Sequence, residues 1–190
     1  QPYLYRDLNF QINAKERFLV VGENGVGKST LLKLMMGIQT PDRGNIRFHP
    51  NTDVAYYAQE LEQLDLQKTV LENVSAQGCT MKQLRSVLSN FLFYEDDINK
   101  KAEVLSPGEK ARIALCRILL QKANFLILDE PTNHLDPETQ EVIGRNFRRF
   151  EGTIMVVSHN RRFVEQIGIN RVLRLPSGRV EDYTWGYTSF

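Results

Sequence analysis

Three short runs of residues could do chemistry in this sequence. Gly22 to Ser29, GENGVGKS, spaces its glycines so that consecutive backbone N–H groups can converge on phosphate oxygens. Lys28 supplies a compact cation for terminal phosphates, and Ser29 a hydroxyl able to ligate Mg2+. FLILDE ends an apolar run on two carboxylates. Asp129 is placed to hold the metal, usually through water, and Glu130 to polarise a water for attack on a γ-phosphate. TIMVVSH ends on His159, whose ring can donate a hydrogen bond to that γ-phosphate from one nitrogen.

Two further candidates depend on the first three. Gln59 closes the run VAYYAQ, where an amide could sense either Mg2+ or the attacking water. In LSPGEKAR, Ser106 suits a helix N-cap, Pro107 the first helical position and Glu109 the reciprocal carboxylate of a capping box. Those local rules account for the residues as a helix start. The same terminus also presents the Ser106 hydroxyl, the Gly108 N–H and a helix dipole, a combination that suits an anion.

The elements that must position these groups follow from periodicity. Residues 8–12 and 17–22 are expected as short strands, the second an apolar run ending in glycine. STLLKLMMG predicts a helix closed by Gly37, and PDRG a turn leading into strands NIRF and VAYYAQ. From residue 61 to 104 the texture turns helical and polar, as in TVLENV and MKQLRSVLSNF, and predicts an inserted helical subdomain between core parts 1–60 and 105–190. After a helix at 107–121, NFLILDE and TIMVVSH are buried strands. Alternation of such strands with helices predicts an α/β domain with a mainly parallel sheet, a small antiparallel part and ligands at the carboxyl ends of the strands. The suspect polar residues all fall at those ends.

Composition narrows the function classes. The 190 residues carry a net charge of +1, with 42% hydrophobic and 25% charged residues, as expected for one soluble domain. That balance gives no overall pull toward nucleic acid, and the local cluster Arg145, Arg148, Arg149, Arg161 and Arg162 fits a solvated helix face. Cys79 and Cys116 lack metal spacing and fit reduced thiols of a cytoplasmic protein. No apolar run is long enough to span a membrane. The first residue is Gln1 and the chain starts almost at once on a strand pattern, so a piece of a longer protein is expected.

GENGVGKST, YAQ, LSPGEKAR, LILDEPTNHLD and VVSH, in this order and spacing, resemble an ATP-binding cassette (ABC) domain of the P-loop NTPase class, from about residue 4 to the end. The resemblance implies ATP and Mg2+ as cofactors, hydrolysis to ADP and phosphate, and a second cassette packed head to tail. Each ATP would lie between the phosphate loop of one cassette and the signature helix of the other. The partner cassette would be in the same parent chain, or a second copy for an isolated domain, whose activity would be weak. It assigns Gly22, Asn24, Gly25, Val26, Gly27, Lys28, Ser29 and Thr30 to the nucleotide, Gln59 to the Q-loop, and Ser106, Gly108 and Glu109 to the signature. Glu130 becomes the catalytic glutamate, His159 the switch histidine, and Leu135–Asp136 the D-loop; Asp136 before Pro137 also fits a helix N-cap.

The wording LSPGEKAR, the NHLD after DEPT, the compact insert and the ending GRVEDYTWGYTSF resemble the ABC-F branch, and within it the second, C-terminal cassette. That branch implies two cassettes on one chain, no membrane span, and action on the ribosome, with its rRNA and tRNA, as a translation factor or in protection from antibiotics. The alternative is the ATPase subunit of an ABC membrane transporter. Pro107 departs from the usual signature glycine and Asn160 from the Asp often found after the switch histidine. The aromatic that stacks on adenine in this family would precede Gln1, with Tyr3 and Tyr5 as stand-ins.

Overall fold

The computed structural model describes residues 4–75 and 78–184, with the backbone alone at 59 and 60. Its centre is β1 (Arg17–Val21), flanked on both sides by parallel partners. The chain then runs through α1 (Lys28–Met35), β2 (Val54–Tyr56), α2 (Tyr57–Glu62), α3 (Val70–Val74), α4 (Met81–Asn90) and a 3-10 turn, Ala102–Val104. It continues through α5 (Pro107–Leu120), β3 (Phe125–Asp129), α6 (Pro137–Arg148), β4 (Thr153–Val157), α7 (Arg161–Gln166), β5 (Arg171–Arg174) and β6 (Arg179–Asp182). The six strands form one sheet in the order β2-β3-β4-β1-β5-β6. Every pairing is parallel except β5 with β6, which is the antiparallel part.

The apolar runs lack alternation because both faces of the sheet are covered. Phe18 and Val20 of β1, Phe125 and Ile127 of β3, and Met155 and Val157 of β4 point to the α1 side, with Leu31, Leu32 and Met35. Leu19 and Val21, Leu126 and Leu128, and Ile154 and Val156 point to the opposite side, with Ile113, Ile143, Phe147 and Phe163 of α5 to α7. A strand buried on both faces has no polar face to offer, so it appears in sequence as a solid hydrophobic block. Gly37, in the left-handed region at φ 69, ends α1 as its place in the sequence predicts.

Two predicted strands are absent. Residues 8–12 and 45–48 take no strand conformation; both line a broad cleft of about 1200 Å3. Their apolar spacing instead seats Leu8, Phe10 and Ile12, half-buried, on the α1-side core. The run VAYYAQ also divides: the strand stops at Tyr56 and α2 begins at Tyr57. Tyr56 packs into the α1-side core and Tyr57 into the opposite one, and α2 then lies against α5 and β3.

Between residues 61 and 104 the described elements are helical, and the start of α3 is tied to the segment before α5 by the Thr69–Lys101 bridge and by backbone bonds such as Val70 N–H to Lys100 and Ala102 N–H to Lys68. Thr69 and Thr80 start α3 and α4 with complete capping boxes, which is why this polar stretch holds short helices. No helix among the described residues is long and apolar enough to cross a membrane.

Candidate functional site

The carboxyl ends of β1, β4 and β3, neighbours in the sheet, carry Gly22, His159 and Glu130 within two residues of each strand. After β1 the loop reaches α1 through Gly25 at φ 80 and Gly27 at φ 101, backbone conformations that glycine adopts without strain. Gly27 is the N-cap of α1 and makes no side-chain capping bond, whereas α3 to α7 are each capped by a side chain. The N–H groups of that first turn are therefore left for an anion, with the helix dipole behind them. The Lys28 ammonium lies across the loop, donating to the carbonyls of Gly22 at 2.7 Å and Glu23 at 3.2 Å.

Glu130 stands in the left-handed region at φ 47, a conformation that costs a non-glycine residue free energy and is typical of functional sites. Its N–H donates to the Val157 carbonyl at 2.8 Å, so β4 holds the turn. The carboxylate faces His159, with Oε1 3.3 Å from the ring Nε2 and Oε2 accepting from the His159 N–H at 3.4 Å. Burial raises the Glu130 pKa, while the neighbouring His159, as charge and as N–H donor, pulls it back down. A base works ionised, so with Glu130 as the base turnover is expected to fall as pH drops through this raised value, on an acid limb above the ordinary glutamate range. Replacing His159 by glutamine removes a group that lowers the Glu130 pKa. The acid limb of the kcat/KM profile should then move to higher pH; a limb that stays in place assigns it to another group.

The site can also accept the metal its chemistry calls for. Among the described residues no cluster of three or more His, Cys, Asp or Glu could hold a metal by protein ligands alone. Mg2+ bound with phosphates needs only one or two protein oxygens, which Ser29 on the first turn of α1 and Asp129 at the end of β3 can supply.

The Ser106 terminus is built as its sequence predicts. Ser106 Oγ accepts from the Glu109 N–H at 3.2 Å, and a Glu109 carboxylate oxygen accepts from the Ser106 N–H at 2.8 Å. It opens on a depression of about 380 Å3 lined by Ser106, Gly108, Glu109 and Arg112 together with His134, Leu135 and Asp136. No residue of the Gly22–Ser29 loop lines that depression. Asp136 caps α6, its carboxylate accepting from the Thr139 N–H at 2.9 Å and the Thr139 hydroxyl at 2.6 Å. These two bonds, the hydroxyl first, hold the Asp136 pKa below its ordinary value.

Gly108 is fixed by a close approach rather than by its φ. A Cβ there would lie 2.6 Å from the His134 carbonyl oxygen, and a backbone oxygen cannot rotate away. Gly108→Ala should therefore cost about 1–3 kcal/mol of stability, read by urea unfolding, because α5 and the His134 loop must separate.

Gln59 lies within α2, not at a strand end, because helix replaces strand at Tyr57. Tyr5 gives its hydroxyl to the Gly27 carbonyl, which ties it to the phosphate loop. Tyr3 and the closing residues 185–190 lie outside the described residues.

Two side chains at the site have no role assigned by sequence. Arg112 donates to the carbonyls of Phe91 at 3.1 Å and Leu92 at 2.9 Å and stacks 4.6 Å from the centre of the Phe93 ring, fastening the signature helix to the insert. Only its place one turn beyond Gly108 could have pointed to it. Gln140 bonds to the loop before α6 and to Asn160, and nothing local marks it.

The family model described as "ABC transporter" matches residues 5–133. The Bacillus subtilis ATP-binding protein YdiF is 45% identical over 98% of this chain, which spans 29% of that protein. ABC transporter F family member 5 of Arabidopsis thaliana is 38% identical over 98% of this chain, which again spans only 28% of the relative. Among solved structures, the archaeal ribosome recycling factor aABCE1 in complex with the ribosomal stalk protein aP1 aligns with a TM-score of 0.71 and 28% identity, over 86% of this chain and 32% of that one. The chain thus spans about a third of the length of these proteins. A match that runs from Tyr5 through the phosphate loop to the turn after Glu130, continued by F-family relatives along nearly all the remaining residues, places the chain in the ABC transporter family, as an ATP-binding cassette of the ABC-F kind.

Proposed function

We propose that this cassette, the C-terminal one of a two-cassette ABC-F protein, binds ATP with Mg2+ between its own phosphate loop and the signature helix of the other cassette, and hydrolyses it. Closure of the pair would accompany binding to the ribosome in the cytoplasm, and hydrolysis would release it. The observation that carries this reading is the separation of the two anion-binding termini. The uncapped start of α1 lies with Glu130 and His159 at the carboxyl end of the parallel strands, while the Ser106 terminus opens on a depression that shares none of the loop's residues. One molecule thus offers two halves of a site, and a second must complete each.

Within its own half the division of labour is direct. The N–H groups of α1 and the Lys28 ammonium bind and orient the triphosphate, Ser29 and Asp129 are the residues to hold Mg2+, and the metal supplies charge neutralisation of the phosphates when bound. Glu130 takes a proton from the attacking water, and His159, 3.3 Å away, holds that carboxylate and reaches the γ-phosphate. The insert is tied to the signature helix through the Arg112 bonds to the Phe91 and Leu92 carbonyls.

The ribosome as target is supported by the likeness to the ribosome recycling factor aABCE1 and by membership of the ABC-F kind. Co-sedimentation of the parent protein with ribosomes tests it. ATP should increase the bound fraction, and Glu130→Gln should hold the protein on the ribosome. Equal binding with and without nucleotide would refute it in favour of a transporter motor.

A further inference from the structure

The two half-sites of one cassette are joined by a continuous line of hydrogen bonds that begins beside His159 and ends at the floor of the Ser106 depression. Asn160, next to His159, caps α7 by accepting from the Phe163 N–H at 3.0 Å, and its own N–H donates to Ser158 Oγ at 3.1 Å. The Asn160 side-chain Nδ2 donates to Gln140 Oε1. Gln140, one turn into α6, uses its Nε2 to donate to the carbonyls of Leu135 at 2.8 Å and Thr132 at 3.4 Å. Leu135 and Thr132 are buried, and Leu135 lines the depression with His134, whose carbonyl sits against Gly108.

Neither amide can turn round without loss. Asn160 must present oxygen to the Phe163 N–H and so has only its NH2 for Gln140; Gln140 must present NH2 to two carbonyls and so has only its oxygen for Asn160. The pair is matched in polarity from both ends. An aspartate at 160 would keep the cap but set an oxygen against Gln140 Oε1, and the glutamine could answer only by releasing the Leu135 loop.

We propose that Gln140 and Asn160 are positioning residues that couple the γ-phosphate side of a cassette to the signature half-site it offers its partner. This rests on the reading above, in which His159 meets γ-phosphate and the Ser106 depression completes the partner's site. A shift of His159 on nucleotide binding or hydrolysis pulls on Asn160, and Gln140 transmits it to the loop that backs Gly108. The two ATP sites of a pair are then set in step by a link running inside each cassette.

The test uses the two-cassette parent and a polarity swap. Asn160→Asp should lower kcat about tenfold with the affinity for nucleotide, read by a fluorescent ATP analogue, changed less than about threefold. Gln140→Lys alone should show a similar loss, because an ammonium faces the Asn160 NH2. Combining Gln140→Lys with Asn160→Asp restores a donor to all three acceptors, Leu135, Thr132 and the new carboxylate, and should recover most of the turnover. Additive losses in the double variant would overturn the proposal, since independent sites add and coupled ones do not. Gln140→Glu is the second single variant: nearly isosteric, it sets an oxygen against the Leu135 carbonyl and should reproduce the kcat loss with the chain folded by circular dichroism, and full activity here also overturns the proposal. Glu130→Gln run alongside separates the two readings: if it leaves turnover intact the hydrolytic reading has failed, whereas if it abolishes turnover while Asn160→Asp does nothing, the coupling alone has failed.

Discussion

Glu130→Gln is expected to reduce turnover at this cassette by about 10²–10⁴-fold while leaving ATP binding nearly unchanged. The amide occupies the same volume and can still accept from the His159 N–H, the bond that now runs at 3.4 Å, so the turn held by Val157 survives. What it cannot do is take a proton. A local conformation that costs a non-glycine residue free energy, φ 47, is kept at this position and aims the carboxylate off the end of β3 toward the ring of His159. The burial that raises its pKa also makes the ionised form a better proton acceptor at neutral pH than an exposed glutamate. The measurement is phosphate release in a parent whose other cassette already lacks its catalytic carboxylate, so that the remaining turnover belongs to this site. Activity within about twofold of the starting protein would assign the base elsewhere.

The site was largely legible in sequence where it is local. A phosphate loop is eight consecutive residues whose geometry is set by its glycines, and the solid apolar runs before Gly22, Glu130 and His159 fix those residues at strand ends. The capping box of Ser106 and Glu109 is likewise a matter of residues three apart, and it formed as expected. Contacts that close through the third dimension left no such trace. Residues 8–12 carry a strand-like alternation, yet Leu8, Phe10 and Ile12 pack on the α1-side core without a ladder, an outcome that no local pattern encodes. The change from strand to helix at Tyr57 depends on which core receives each tyrosine, and both tyrosines have high strand propensity.

The Gln140–Asn160 contact is the clearest case. The two are twenty residues apart and meet only because α6 and α7 pack closely. Gly144 lies at that approach, where a Cβ would come 2.4 Å from Gln166 Oε1 and 3.0 Å from Gln166 Cβ. A glycine inside a helix is a destabilising choice by itself, and here the close neighbour explains it. The same logic applies to Gly108, which the sequence offers as a backbone donor and the structure shows also as the contact point between the signature helix and the His134 loop.

Lys28→Ala is expected to weaken ATP binding by about a hundredfold or more and to abolish the dependence of pairing on nucleotide. The ammonium lies over the loop at 2.7 Å from the Gly22 carbonyl and 3.2 Å from that of Glu23, so it is the one side-chain cation tied directly to this turn among the described contacts. In the bound state it must serve phosphate oxygens whose other donors are neutral N–H groups, and hydrogen bonds to charged groups each contribute about 1.5–3 kcal/mol. Two of them correspond to at least a hundredfold in the dissociation constant. Arginine should not rescue the loss, because its planar fork acts as a bidentate clamp rather than a point charge. Titration of each variant with ATP and Mg2+ by calorimetry reads the effect. Stability should change little, since Lys28 opens α1 and its side chain lies in none of the buried clusters. A dissociation constant within about threefold of the starting value would show that the α1 N–H groups suffice, and would move the charge that discriminates triphosphate from diphosphate to the signature helix of the other cassette.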